Sequence, residues 1–144
     1  MIRYLYQLKG TKGDSIMGAE VFSSIQTGKT AQEAFENAQE QAYWDYGHAG
    51  YTGTIAEKPG FIEFPRPKGM QEKAVRNLME SISDIGSFAL LEGMNKLSEL
   101  HETYPKFSLE TLKKMMYLHD DKWGKAICME LKPNLYHFCG WASS

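Results

Sequence analysis

AICMELKPNLYHFCGW, residues 126–141, is the most informative run in the chain. Two strand-like segments, 126–131 and 135–141, flank Lys132, Pro133 and Asn134, and proline followed by asparagine favours a tight turn. The run therefore reads as an antiparallel hairpin. A turn centred on Pro133-Asn134 pairs Lys132 with Leu135, which sets Glu130 opposite His137 and Cys128 opposite Cys139. In that register Ile127, Met129, Leu131, Tyr136 and Phe138 share the apolar face, while Cys128, Glu130, His137 and Cys139 share the other. Two thiols, an imidazole and a carboxylate are a zinc-binding set or a Cys–His nucleophile pair. The short Cys-x2-Cys knuckle of structural zinc sites is absent, and free cysteine is commonly a small buried hydrophobe. No metal, cofactor or disulfide is assigned on this ground.

Working outward, residues 1–8 alternate apolar with polar side chains, residues 20–25 form a second short run rich in Val, Phe, Ile and Ser, and turn-forming residues 10–15 separate them, so an N-terminal hairpin is expected. Thr30 stands three residues before Glu33 at the head of 31–46, the arrangement that caps a helix start. Ala34, Phe35, Ala38, Ala42 and Trp44 or Tyr46 form its apolar stripe, and Gly47 ends it. Residues 53–64 read as a strand with a turn or bulge at Lys58-Pro59-Gly60, and the connector 65–69 holds two prolines that stop it. From 70 to 104, Val75, Leu78, Ile82, Ile85, Ala89, Leu90, Met94, Leu97 and Leu100 recur at helical spacing. One long helix or two is expected, with a bend or break near Gly86 or Gly93, since glycine costs roughly 1 kcal/mol in a helix interior. Ser108 caps a further helix with Leu109, Leu112, Met115, Met116 and Leu118 facing the core. The expectation is a single α+β domain spanning 1–144, an antiparallel sheet of about five strands packed against about three helices.

The chain has 144 residues, 42% hydrophobic and 24% charged, which is the composition of an ordinary globular domain. Its 16 Lys and Arg against 18 Asp and Glu give a net charge of −2, so general nucleic-acid binding is not expected. No stretch approaches the roughly 18 apolar residues of a membrane span, and the first residues lack a signal peptide's pattern. A cytoplasmic location without membrane association is the expectation.

Gly28-Lys29-Thr30 is similar to the tail of a phosphate-binding loop, yet Ser23 stands where that motif needs its first glycine. The helix cap accounts for the same residues. The densest aromatic and glycine stretch is 43–55, where a helix ends. Trp44, Tyr46, His48 and Tyr51 can stack on a planar ring there, and Thr52 and Thr54 can bond ribose or phosphate oxygens. Arg66 and Lys68 on the proline connector offer charge to a phosphate. An enzymatic alternative is a hydrolase acting on a nucleotide or phosphorylated small molecule, with His48 or His137 as general base and Asp120 or Glu130 orienting it or a metal. His119 beside Asp120 and Asp121 also admits a divalent cation or a plain acidic turn. A third class is a surface-acting inhibitor of another protein.

Three phrases, YGHAGYTGTIA (46–56), KWGKA (122–126) and FCGWAS (138–143), resemble segments of small accessory proteins of bacteriophages. The resemblance brings no catalytic residues. It implies an antagonist of bacterial immunity in the host cytosol, of the kind that sequesters a nucleotide messenger without cleaving it. Such binders tend to enclose ligand between subunits, so a homo-oligomer, a nucleotide ligand or a host protein partner are the associations it implies.

Overall fold

A computed structural model describes residues 18–85 and 90–144, with backbone alone for residues 85 and 90–95. The elements in chain order are β1 (Ala19–Thr27), α1 (Ala31–Tyr46), a 3-10 turn (Ile55–Glu57), β2 (Phe61–Glu63), α2 (Glu72–Ile85), α3 (Leu90–Thr103), α4 (Leu109–Asp120), β3 (Ala126–Lys132) and β4 (Leu135–Ser143). The class is α+β. The described sheet has the order β1-β4-β3-β2, with β4 antiparallel to both β1 and β3.

Several expectations are corrected. The described sheet has four strands, and it is mixed, because β2 runs parallel to β3. Three helices separate those two strands in sequence, a connection long enough to return the chain to the same end of the sheet. Of the stretch 53–64, only Phe61–Glu63 is strand, preceded by the 3-10 turn. Four α-helices are described where about three were expected: α2 and α3 both fall within 70–104, the stretch expected to hold one long helix or two. Residues 86–89, and the expected strand 1–8, lie outside the described residues. Leu109, assigned to the core, is 42% exposed on the first turn of α4, whereas Leu112 and Met115 are buried.

The hairpin forms with Lys132 opposite Leu135 and Asn134 in the left-handed region at φ 68°. The register beyond the turn differs from the expected one. An irregularity between Glu130 and Lys132 leaves Glu130 opposite Tyr136, Met129 opposite His137, Cys128 opposite Phe138 and Ile127 opposite Cys139. One extra residue on one strand moves every later pair by one, and therefore to the other face. Cys128 joins Phe138 and Tyr136 under α1, while Cys139 joins Ile127, Met129 and Leu131 under α2 and α4. The expected shared face of Cys128, Glu130, His137 and Cys139 does not exist.

Both faces of β3 and β4 are consequently apolar and both are covered, giving three layers. On one side Phe35, Phe61 and Phe138 pack ring to ring, with centroids 5.1–5.6 Å apart. Small residues Ala31, Ala34, Ala38 and Ala42 let α1 lie close to the sheet. Its start is fixed as expected, with the Glu33 amide donating to Thr30 Oγ1 at 3.1 Å and the Lys29 amide to Glu33 Oε1 at 2.6 Å. Gly28 is a packing glycine: a Cβ there would come within 2.8 Å of Ala34 Cα. Gly28→Ala is expected to cost about 2 kcal/mol, because backbone must move to admit the methyl group, and a thermal melt followed by circular dichroism measures it. An unchanged melt would show that this junction is loose.

Candidate functional site

The loop between α1 and the 3-10 turn is built as an arch with fixed ends. At its start the Gly47 amide donates to Tyr43 O at 2.8 Å. At its far end Glu57 Oε2 accepts from both the Thr52 amide (3.0 Å) and the Thr52 hydroxyl (2.7 Å). The Thr52 and Thr54 hydroxyls are 2.8 Å apart, and Thr54 Oγ1 accepts from the Ala56 amide. Gly53 ties the arch to the sheet through a 2.7 Å bond from its amide to Ser143 O. Its φ of 73°, and Glu20 Oε1 only 3.0 Å from where a Cβ would stand, favour glycine there. Between these anchors the amides of His48, Ala49, Gly50 and Tyr51 have no protein acceptor among the described residues.

Tyr51 holds a φ of 55°, which costs a side-chain-bearing residue roughly 1–2 kcal/mol. Its ring is 59% exposed and meets Trp123, 55% exposed, edge to face at a centroid distance of 6.5 Å. Lys122 Nζ lies 5.2 Å from the centre of the Trp123 ring. The turn carrying Trp123 is itself braced: its amide donates to Asp121 Oδ1 (3.1 Å), and the Gly124 amide to Asp121 O (3.0 Å). Buried Lys58 reaches the same Asp121 carbonyl with its ammonium at 2.9 Å. Burial lowers the Lys58 pKa to about 8, with Asp121 and Cys139 opposing the shift. Strain at an exposed ring suggests a role for the ring. Tyr51→Asn, which tolerates this φ, is expected to raise stability by about 0.5–1 kcal/mol in urea denaturation. A loss instead would mean that contact with Trp123 outweighs the backbone strain.

The expected site residues are distributed as follows. Tyr46, Thr52 and Thr54 line one hollow of about 420 Å³ between β1, the end of α1 and the arch. Glu20 and Asp45 also line it, and among the described residues no lysine or arginine does. The threonine hydroxyls are engaged with Glu57 and each other. His48 stacks on Tyr43 with centroids 4.5 Å apart and rings 11° from parallel. Neither Trp44 nor Tyr46 belongs to the apolar stripe of α1 as expected: Tyr46 is 62% exposed, and Trp44 is 85% exposed on the outer face of the helix. Arg66 and Lys68 are not brought to this place. Arg66 bonds Glu130 at 3.0 Å and Met70 O at 2.9 Å, and the Lys68 carbonyl accepts from Lys106. Glu130 faces Tyr136 whereas the arch is tied to Ser143, so roughly 24 Å of β4 separates them at about 3.4 Å per residue. Trp123 and Lys122 were not named as contacts by the sequence reading. Their signals were an aromatic residue in a short turn before a strand and the phrase KWGKA that carries part of the resemblance, but the neighbour Tyr51 is remote in the chain.

His119, His137 and the two cysteines take structural places. His137 is buried and bonds Ser23 Oγ at 2.7 Å through Nε2, with Nδ1 unpartnered among the described residues. His119, fully buried, lies 3.0 Å from Ser83 Oγ and 3.2 Å from Asp120 Oδ1, joining α4 to α2. Burial pushes the Cys139 thiol up to about 12 and raises Cys128 as well, the opposite of an activated nucleophile. Among the described residues no three His, Cys, Asp or Glu side chains are grouped to hold a metal ion, and no helix is long and apolar enough to cross a membrane. Comparison with family models, with curated proteins and with solved structures gives no match in any of the three.

Proposed function

We propose that the protein is a non-catalytic binder of a small nucleotide, held at the arch of residues 47–54 and the adjoining turn at Trp123. The observation that carries this reading is the exposed Tyr51–Trp123 ring pair, rigidly mounted although Tyr51 is strained. A nucleobase stacks on such rings with any sequence of hydrogen-bonding groups, since every base offers a π face. The four arch amides that have no acceptor among the described residues supply the donors that a phosphate needs. The neighbouring acidic hollow favours the ribose side of the ligand over its phosphate. Arg66 and Lys68 have no part in this arrangement. Sequestration of a nucleotide messenger, as the likeness to phage accessory proteins implies, needs this equipment and no acid–base pair.

Cyclic nucleotides and ADP-ribose derivatives, screened by thermal shift, test the proposal. A bound ligand at 100 times its Kd adds about 2.7 kcal/mol by mass action. Tyr51→Ala and Trp123→Ala should each weaken binding by about tenfold or more, the value of one lost base stack, while Lys68→Ala changes nothing. Recovery of intact ligand after denaturing the complex supports sequestration; recovery of a cleaved product supports the hydrolase alternative. No shift with any member of the panel overturns the reading.

A further inference from the structure

We infer that the outer face of α1 is a docking surface for a basic protein segment, adjoining the arch at His48 and distinct from the Tyr51–Trp123 ring pair of the proposed nucleotide site. The face is centred on Trp44, whose ring is 85% exposed, the most exposed of the large hydrophobic side chains described. It borders a broad shallow hollow of about 1280 Å³ formed by Gln26, Glu36, Glu40, Tyr43, Trp44 and His48. Glu36, Glu40 and Trp44 follow one another at intervals of four, so they stand in one row along the helix. His48 stacks on Tyr43 and forms a flat wall at the end of this row. A tryptophan left open in this way is the residue type that most often anchors a protein–protein contact.

Charge selects the occupant. The helix carries Glu33, Glu36, Glu40 and Asp45 and no lysine, arginine or histidine. Among the described residues no ion pair involves any of these carboxylates: Glu36 accepts only from the Gln32 amide at 2.9 Å, and Asp45 only from Gln41. A second copy of the chain laid on the same face would set carboxylates against carboxylates, and nucleic acid or an anionic membrane would be repelled. An arginine-bearing segment meets both features at once, bonding the glutamates with its guanidinium groups and stacking one of them on the indole.

The probe is a fluorescein-labelled hexa-arginine peptide, followed by anisotropy at low and at physiological salt. Wild-type protein should bind it with an affinity that falls as salt rises, and hexa-glutamate should not bind. Trp44→Ala and the double variant Glu36→Gln/Glu40→Gln should each raise the Kd at least tenfold. Glu99→Gln/Glu102→Gln, removing two exposed carboxylates from α3, should leave it within twofold. All these positions are exposed, so circular dichroism should report unchanged folding. Unaltered affinity in the Trp44 variant, or an equal loss in the α3 variant, overturns the assignment by showing charge attraction without a site. A free protein that sediments as a dimer and becomes monomeric on Trp44→Ala also overturns it, because a second copy is then the occupant. Nucleotide binding, measured in the same variants, should not change, so failure here and failure at the arch are read separately.

Discussion

Phe138→Ala is expected to lower the free energy of unfolding by about 3–5 kcal/mol, a large fraction of the roughly 5–15 kcal/mol of a typical domain. The side chain is fully buried in β4, a central strand flanked on both sides. It contacts Phe35 of α1 and Phe61 of β2 at centroid distances of 5.6 and 5.5 Å, so it holds together one helix and strands from both halves of the sheet. Deleting the ring removes its transfer free energy and leaves a cavity that the rigid sheet cannot close. Each aromatic pairing adds roughly 0.5–1.5 kcal/mol beyond buried area. Urea denaturation measures the effect as a shift of midpoint at nearly constant slope. Phe138→Leu keeps most of the volume and should cost less than half as much. A loss below about 1 kcal/mol for alanine would contradict the packing described.

Acidification from pH 7 to about 4 is expected to remove roughly 3 kcal/mol of stability through His137 alone. Its pKa in the folded chain is lowered from 6.5 to about 4, first by burial and then by the Arg76 charge. Protonation would put a donor and a charge on Nδ1, which has no acceptor among the described residues. The unfolded chain therefore takes up a proton before the folded one does. The full contribution is present above pH 6.5 and is lost as pH falls toward 4, a span of 2.5 units at about 1.36 kcal/mol each. Denaturation midpoints across this range test it. His137→Gln retains a hydrogen bond to Ser23 and should flatten the profile between pH 6.5 and 4. A variant with the same slope as the wild type would assign the acid sensitivity to other groups.

The sequence by itself determined the features that a few neighbouring residues control. Thr30 and Glu33 fix the start of α1, Ser108 the start of α4, and Pro133-Asn134 the turn that pairs Lys132 with Leu135. Each is a short-range hydrogen-bonding or dihedral preference, acting over four residues or fewer. Helical periodicity likewise placed Val75, Leu78 and Ile82 in the core. The irregularity after Glu130 was not legible, because no glycine marks it. Its presence depends on what the two faces of β3 must pack against, namely α1 on one side and α2 with α4 on the other.

Only the tertiary structure decided the rest. The parallel placement of β2 follows from the three helices that intervene before β3, and strand direction leaves no trace in local pattern. The aromatic loop was legible as a candidate site, but its companion was not: Tyr51 and Trp123 meet because the arch is tied to the end of β4 while the turn before β3 lies beside it. Arg66 went the other way, held by Glu130 at the far end of the sheet. A side chain's chemistry is written in its own residue, whereas its neighbours across a sheet are set by register and chain crossing, and those are properties of the whole packed assembly.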